Sequence, residues 1–219
     1  MATSLSKKRV AVLISGNGSN LQSLIDASSA ITSPAVISLV ISNKAEAYGL
    51  TRAKNAGIPT EVISHKDFSS REAFDEAMHR LLAQHKIEYV CLAGFMRILS
   101  TPFVQKWEGR MINIHPSLLP LFKGLDTHQK AIDEGMRFAG CTVHFVAPEM
   151  DSGPIIIQAA VPILQGDTGQ TLKERVHIAE HRIYPRAMHW LTAGKLSIAG
   201  NKVMIDGGGS PLESLINPE

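Results

Sequence analysis

The chain has 219 residues, 44% of them hydrophobic and 19% charged, which provides apolar material for a sizeable globular core and argues against disorder. Its 22 basic and 20 acidic residues are spread along the chain and leave a net charge of +2, so no basic arm points to nucleic acid and a small-molecule partner is favoured. No run approaches the ~20 apolar residues of a membrane span, and the N-terminal apolar run is too short for a signal peptide.

The composition does not shift sharply along the chain, so we expect one domain over residues 1–219, with flexible ends at 1–7 and 206–219. Cys91 and Cys141 both lie in apolar runs, where a free thiol behaves as a small hydrophobe. This use of cysteine suits a reducing compartment and predicts a cytoplasmic protein. We expect a monomer or a homodimer.

Short runs rich in Val and Ile alternate with longer amphipathic stretches, a pattern typical of βαβ units around a mostly parallel sheet. In chain order, strands are predicted at 9–15, 35–42, 60–64, 89–95, 111–115, 141–147 and 153–163. Helices are predicted over Ser19–Ala27, near 46–56, from Ser69 through Phe74, Met78, Leu81 and Leu82, and from about Thr168.

Two segments are less regular. Residues 121–135 are interpreted as a loop, and Pro185 is expected to kink or restart the last helix. The runs at 141–147 and 153–163 are separated by a short turn, which suits an antiparallel pair. The predicted fold class is therefore α/β: a Rossmann-like, mostly parallel sheet with flanking helices and an antiparallel strand addition in the C-terminal half.

A glycine-rich turn, within LISGNGSNLQ at 13–22, separates the first strand from the first helix. Its two glycines fit a dinucleotide-binding loop, but Leu21 stands where that pattern needs a third small residue. The second strand ends in Ser42 and Asn43 rather than in an acidic residue. The two features that best discriminate NAD binding are therefore missing, and no Gly-Lys-Ser/Thr follows to make a P-loop.

What the turn retains is a helix N-terminus with Gly18, Ser19 and Asn20 in its first turn. Exposed backbone N–H groups and the positive end of the helix dipole make such a place a good seat for a monophosphate. A tight turn capped by Ser19 or Asn20, with no ligand, explains the same residues equally well. The loop alone does not decide between the two.

Two polar side chains share one face at the end of the predicted strand 111–115. Asn113 and His115 are two residues apart and point the same way, while Pro116 ends the strand. They therefore lie at a carboxyl end, where open α/β sheets bind ligands. A histidine that simply forms a hydrogen bond at the strand end is the alternative.

A turn-rich segment downstream, APEMDSGP, carries Glu149 and Asp151. A carboxylate placed there could reach the strand-end imidazole and favour its charged form. A solvated turn residue is the alternative for a lone aspartate in a loop.

His177 and His181 lie four residues apart on the last helix with Glu180 beside them, a spacing that can bind metal. No third ligand at a suitable spacing is evident, so no metal is expected.

Taken together and in this order, the segments LISGNGSNLQ, SREAF, LAGFMRIL, NIHPSLLP and DSGPIIIQ resemble the phosphoribosylglycinamide formyltransferase family of purine biosynthesis over nearly the whole chain. The resemblance implies the formyltransferase fold, with a phosphate site near the N-terminus and a folate site toward the C-terminal half. It also gives the glycine turn a ligand, the ribose 5-phosphate of glycinamide ribonucleotide.

The resemblance further implies the roles of individual residues. The catalytic residues would be Asn113, His115 and Asp151. Those that bind the phosphate and ribose would be Gly18, Ser19, Asn20 and Glu180. The folate-binding residues would be Arg71, Met96, Arg97, Ile98, Leu99, Asn113, Ala147, Pro148, Glu149, Met150 and Asp151.

By the same resemblance, the chain transfers a formyl group from 10-formyltetrahydrofolate to the amine of 5-phosphoribosylglycinamide, by direct attack of the amine. Asn113 and a protonated His115 would donate to the developing oxyanion, and Asp151 would hold the imidazole. Two positions depart from the pattern. Asp126 stands where many bacterial members are expected to have histidine, and His177 occupies a variable position, which puts its contact with substrate in doubt.

Three alternatives remain. A methionyl-tRNA formyltransferase shares the Asn, His and Asp, but is expected to be longer and to carry an RNA-contacting domain. A formyltetrahydrofolate hydrolase uses water as acceptor and is expected to have an additional N-terminal domain. A nucleotide-binding module without activity is the third, because function lies in the site rather than in the fold.

Overall fold

The computed structural model describes residues 6–207 and 215–217. Within these residues nine strands form one sheet: β1 Lys8–Ile14, β2 Ala35–Ser42, β3 Thr60–Val62, β4 Tyr89–Leu92, β5 Met111–His115, β6 Phe138–Phe145, β7 Ile155–Pro162, β8 Leu196–Ala199 and β9 Lys202–Ile205. The α-helices are α1 Ser19–Ser29, α2 Tyr48–Asn55, α3 Arg71–Gln84, α4 Thr101–Lys106, α5 Thr127–Asp133 and α6 Gly169–Thr192. A short 3₁₀ helix spans His65–Asp67.

The strand order is β3-β2-β1-β4-β5-β6-β7-β9-β8. The five N-terminal strands are parallel, whereas β6 runs antiparallel to both β5 and β7. This arrangement confirms the predicted fold class. The chain turns back across β1 after β3, so a topological switch point lies between β1 and β4, where open α/β sheets bind their ligands beyond the carboxyl ends of the strands.

Helices cover both faces of the parallel part of the sheet, as the contacts of β1 on its two faces show. Val10, Val12 and Ile14 belong to the apolar cluster that includes residues of α1 and α6, while Ala11 and Leu13 belong to the cluster that includes residues of α3 and α4. Successive strand residues point to opposite faces, so a strand covered on both sides must be apolar throughout. The near-continuous run of β1 follows directly from this double cover.

The interpretation of 121–135 as a loop is wrong, because α5 spans Thr127–Asp133. Thr127 and Ala131, four residues apart, are buried and give this short helix its inner face. Turn residues flank the segment closely, since Gly124 and Gly135 both have positive φ. So short an apolar stripe between two turns has too little periodicity to be found from sequence.

Helix α4 and the β8–β9 hairpin also lie in segments for which no element was predicted. Helix α6 runs from Gly169 to Thr192 with Pro185 inside it, so the last helix does not restart at this proline. Tyr184, Ala187 and Met188 are buried on the sheet side of the same stretch. The Tyr184 hydroxyl also donates to the Leu92 carbonyl at 2.9 Å, so tertiary packing compensates for the missing proline donor.

Smaller features agree with the sequence or refine it. The cap of α3 is Ser70, whose hydroxyl accepts the Ala73 N–H at 3.1 Å. Cys91 and Cys141 are free and buried, and burial raises the pKa of each thiol to about 12.

In the described chain, no helix has the length and apolarity to span a membrane. The flexible ends predicted at 1–7 and 206–219 fall largely outside the described residues.

Candidate active site

A cavity of about 820 Å³ opens beyond the carboxyl ends of β4 and β5. Its walls are the segment 94–99 after β4, the end of β5, the first turn of α5 and the turn 146–151 between β6 and β7. This volume suits a small-molecule ligand. Because β4 borders the switch point of the sheet, the cavity lies next to that point, where open α/β sheets bind ligands.

The end of β5 carries Asn113 against the neighbouring antiparallel strand. Asn113 pairs with His144 of β6, and the amide Nδ2 lies 3.2 Å from His144 Nε2. His144 Nδ1 lies 2.8 Å from the Phe145 carbonyl, so Nδ1 carries the proton and Nε2 accepts from Asn113. Burial lowers the pKa of His144, which favours this neutral ring. The contact fixes the amide nitrogen of Asn113, rather than its oxygen, toward the imidazole.

Two residues further along β5, His115 is buried between two acceptors. Its Nδ1 lies 3.5 Å from Asp151 Oδ2, and its Nε2 lies 3.0 Å from the Phe122 carbonyl. A carboxylate and a carbonyl can only accept, so the doubly protonated ring satisfies both. The geometry therefore suits an imidazolium at the cavity wall.

Asp151 is held in place by its backbone and by one hydrogen bond. Its φ of 49° is left-handed, a conformation that Asp tolerates better than most residues. Its Oδ2 also accepts the Gly124 N–H at 3.0 Å. The turn between β6 and β7 thus delivers the carboxylate to the end of β5, and Asn113, His115 and Asp151, here called the Asn-His-Asp trio, lie together on the cavity wall.

Sequence reasoning missed His144, although a signal was present. His144 stands within an otherwise apolar strand that pairs directly with β5, and such an imidazole needs a hydrogen-bond partner. The Phe122 carbonyl and the Gly124 N–H were missed as well. The direction of main-chain N–H and C=O groups in an irregular segment cannot be predicted from the pattern of side chains.

Most of the sequence-predicted folate residues lie on the cavity wall. The lining members of that set are Met96, Arg97, Ile98, Leu99, Asn113, Ala147, Pro148, Met150 and Asp151. Arg71 and Glu149 are not among the lining residues. Arg71 begins α3 and is exposed, and the exposed Glu149 carboxylate lies 3.4 Å from Lys123 Nζ.

The glycine loop, residues 16–20, is shaped by the close approach of two backbones. Gly18 has φ 75° and serves as the N-cap of α1, and a Cβ added to it would lie 2.7 Å from Gly49 Cα. The Gly49 N–H donates to the Gly16 carbonyl at 3.1 Å. Only glycine allows both the left-handed φ and this contact. No side chain caps α1, in contrast to the alternative of a turn capped by Ser19 or Asn20.

Asn20 instead reaches across to α6. Its Nδ2 donates to Glu180 Oε2 at 2.8 Å, although 160 residues separate the two in sequence. Its Oδ1 is buried and has no partner among the described residues. Glu180 is 3% exposed, and burial raises the pKa of its carboxyl to about 7.

Arg52 contacts this loop, and His177 and His181 lie on α6 with Glu180. The Arg52 guanidinium donates to both the carbonyl and the side-chain oxygen of Asn17, at 3.0 Å each. His177 and His181 stack with ring centroids 6.1 Å apart, and His177 Nε2 lies 3.9 Å from Glu180 Oε2. Within 6–207 and 215–217, no three His, Cys, Asp or Glu side chains form a group that could hold a metal ion.

Asp126, which departs from the expected pattern, lies on the cavity wall as the N-cap of α5 with φ 59°. Its side chain makes no cap hydrogen bond. His128, in the first turn of the same helix, lines the cavity too, and burial lowers the pKa of its imidazole to about 4.

The sheet order, the uncapped glycine loop and an Asn-His-Asp trio at the strand ends define a class of protein. The chain belongs to the formyl transferase family, whose sequence model matches residues 8–188. Within it, the chain is similar to phosphoribosylglycinamide formyltransferase of Escherichia coli K12, with 46% identity over 198 residues that cover 90% of this chain and 93% of that protein. The resemblance noted from the motifs is thereby confirmed.

Structure and further sequence similarity agree. Glycinamide ribonucleotide transformylase 1 from Symbiobacterium toebii superposes with a TM-score of 0.89 at 45% identity, covering 91% of this chain and 94% of that one. The human trifunctional purine biosynthetic protein adenosine-3 is 56% identical over 195 residues, 89% of this chain. The chain spans only 14–19% of the length of the trifunctional relatives it matches.

Proposed function

We propose that this chain transfers the formyl group of 10-formyltetrahydrofolate to the amine of 5-phosphoribosylglycinamide, in purine biosynthesis. The observation that carries the proposal is the convergence of Asn113, His115 and Asp151 on the wall of the 820 Å³ cavity. The similarity to enzymes named for this reaction supports it. The free, buried cysteines suit a reducing cytoplasm as the place of the reaction.

The reaction exchanges one carbon–nitrogen bond for another. The amine nitrogen attacks the formyl carbon, the bond from that carbon to N10 of the folate breaks, and the proton lost by the amine ends on N10. Between the two steps the formyl oxygen carries negative charge. Fixed hydrogen-bond donors directed at that oxygen stabilise the tetrahedral intermediate, and each is worth about 10²–10³ in rate.

Asn113 and His115 are the donors. One N–H of the Asn113 amide is engaged by His144, which orients the amide and leaves its second N–H for the formyl oxygen. His115 provides the other N–H from Nε2, which in this structure donates to the Phe122 carbonyl. Binding of the formyl group therefore requires that carbonyl to release the imidazole.

Asp151 keeps the imidazole charged and oriented through the 3.5 Å contact with Nδ1. Its second oxygen lies 3.9 Å from His144 Nε2, beyond hydrogen-bonding distance, so this oxygen is available to a water that carries the amine proton toward N10. No covalent intermediate is needed.

The glycine loop is the proposed seat of the ribonucleotide phosphate. The first turn of α1 has no side-chain cap, which leaves backbone N–H groups at Ser19 and Asn20 for an anion. Arg52 adds positive charge nearby, whereas burial lowers the pKa of both His177 and His181 and so favours their neutral rings. Glu180 lies next to Asn20 and offers a carboxyl to the ribose hydroxyls.

The folate occupies the 820 Å³ cavity, which the glycine loop does not line. Met96, Ile98 and Met150 are more than half exposed and lie together on its wall, and such clustered apolar exposure marks ligand-binding surfaces. They provide flat apolar contact for a pterin ring, while the polar trio lies at the end of β5.

The test is loss of the formyl group from 10-formyltetrahydrofolate, followed by absorbance, with and without glycinamide ribonucleotide. Turnover that requires the ribonucleotide is expected. Turnover without it would instead show a hydrolase, and formyl transfer to a charged methionyl-tRNA alone would show the tRNA enzyme. Absence of all three would reduce the chain to a binding module.

A further inference from the structure

The segment from Gly94 to Ser100 forms much of the folate-facing wall, yet it has no regular secondary structure. It leaves the sheet after Ala93, whose N–H donates to the Leu13 carbonyl, and turns at Gly94 with φ 73°. Within the described residues two main-chain N–H groups of the segment donate hydrogen bonds, and a buried side chain accepts each of them. The Met96 N–H donates to one and the Ser100 N–H to the other.

The first acceptor is Ser15, the residue directly after β1. Its hydroxyl oxygen accepts the Met96 N–H at 2.8 Å and donates its own hydrogen to Asn43 Oδ1 at 2.6 Å. Ser15 is 7% exposed and Asn43 5%, and each follows a strand of the parallel sheet. Asn43 thereby orients the hydroxyl so that its lone pair faces Met96.

The second acceptor is Asp75 of α3. Its Oδ2 accepts the Ser100 N–H at 2.6 Å, and its side chain is 2% exposed. Burial raises the pKa of Asp75, and its Oδ1 is buried without a partner in the described chain. Burying a carboxyl costs free energy unless the group is hydrogen-bonded. Here it fixes the start of α4 and the end of the folate-facing segment.

We propose that Ser15 and Asp75 are positioning residues that clamp the two ends of segment 94–100 and so set the shape of the folate-binding wall. The inference rests on the proposed function, because it takes a folate as the ligand of that wall. Neither residue lines the cavity. Both act through main-chain amides, so that Met96 and Ile98 keep their apolar side chains turned toward the ligand.

The clamp acts on one substrate only. The glycine loop follows Ser15 directly, but it has anchors of its own: the Gly49 N–H to the Gly16 carbonyl and the two Arg52 bonds to Asn17. Loss of the Ser15 hydroxyl therefore leaves the loop in place. A defect in folate binding with normal ribonucleotide binding distinguishes a positioning role from general destabilisation.

The experiment compares Ser15→Ala with Ser42→Ala. Ser42, the last residue of β2, is also buried at a strand end, but within the described residues its hydroxyl bonds only to main-chain groups of Lys44 in the adjacent turn. Loss of one buried hydrogen bond predicts a rise of about 3- to 10-fold in the KM for 10-formyltetrahydrofolate in Ser15→Ala. The KM for glycinamide ribonucleotide should stay within about twofold in both variants.

Asp75 is tested by a conservative pair. Asp75→Ala removes the acceptor and should raise the folate KM as Ser15→Ala does, whereas Asp75→Asn keeps an oxygen for the Ser100 N–H and should restore most of the affinity. Equal KM changes for both substrates, or a folate KM unchanged in Ser15→Ala and Asp75→Ala, would overturn the clamp. Failure of the wild-type chain to transfer formyl to the ribonucleotide would instead overturn the proposed function.

Discussion

The glycine loop and the Asn-His-Asp trio both lie beyond carboxyl ends of the sheet, but different contacts hold them. Backbone shapes the loop: Gly18 packs on Gly49, and the Gly49 N–H donates to the Gly16 carbonyl. Side chains build the trio, with His115 held by the Asp151 carboxylate on one side and the Phe122 carbonyl on the other.

The two regions also differ in what they offer a ligand. The loop presents main-chain N–H groups of an uncapped helix, whose dipole and direction hardly depend on side-chain identity. The trio presents an amide and an imidazole whose chemistry is lost with the side chain. Changes in the loop should therefore act on substrate affinity and stability, and changes in the trio on the rate of transfer.

The largest effect should come from His115→Ala, which removes one donor to the oxyanion. We expect kcat to fall by about 10²–10³ or more, while binding of the ribonucleotide changes by no more than a few-fold. Steady-state kinetics and calorimetric titration measure the two quantities. His189→Ala, an exposed histidine on α6, is the control. Near-normal turnover in His115→Ala would remove the trio from the mechanism.

Glu180, which accepts a hydrogen bond from Asn20 of the glycine loop, should make the stability of the protein depend on pH. Its carboxyl pKa is raised from 4.5 to about 7, so between these values the folded state binds a proton that the unfolded state has released. Stability is therefore lost as pH rises through this window, by about 2 kcal/mol, and Glu180→Gln removes the loss. Chemical unfolding at pH 5 and 7.5 should show the variant gaining relative to wild type at the higher pH.

Glu174→Gln, at an exposed position on the same helix, should show no such difference. A gap between wild type and Glu180→Gln that stays constant from pH 5 to 7.5 would contradict the burial argument.

Asp151→Asn tests the charge within the trio without removing its shape. The asparagine oxygen can still accept the Gly124 N–H, so the turn should fold, but the imidazolium loses its counter-charge. We expect kcat to fall about tenfold, which corresponds to about 1.4 kcal/mol of lost transition-state stabilisation. A kcat equal to that of the wild type would count against the pairing.

Gly18→Ala gives the smallest effect and tests whether the loop is built by backbone contact. Gly57 provides the matched control, because its φ of 69° is also left-handed but a Cβ there meets nothing within 4 Å. Each alanine should cost about 1 kcal/mol for its backbone conformation, and Gly18→Ala at least about 1 kcal/mol more for overpacking against the Gly49 backbone. The KM for the ribonucleotide should rise only in Gly18→Ala. Equal stabilities for the two variants would show that the close approach is unimportant.

Local sequence patterns predicted the strands of the parallel half of the fold well. The strands β1, β2 and β5 appear within a residue or two of their predicted bounds. In β1 the signal is a near-continuous apolar run, because this strand is covered on both faces. Short elements were not predicted, because they bury too few residues to produce a periodic pattern. Helix α5 buries only Thr127 and Ala131, and the β8–β9 hairpin is largely exposed, so neither leaves a clear periodic signal.

The residue types at the strand ends can be identified from the sequence alone: the Gly18 turn after β1, Asn113 and His115 at the end of β5, and a carboxylate in the later turn. Residue spacing and backbone restriction act locally, so a local pattern reveals them. The partners of these residues follow from the tertiary structure, since Asn20 bonds to Glu180 across 160 residues and Met96 to Ser15 across 81. Such contacts depend on how the strands are ordered in the sheet, which no local pattern specifies.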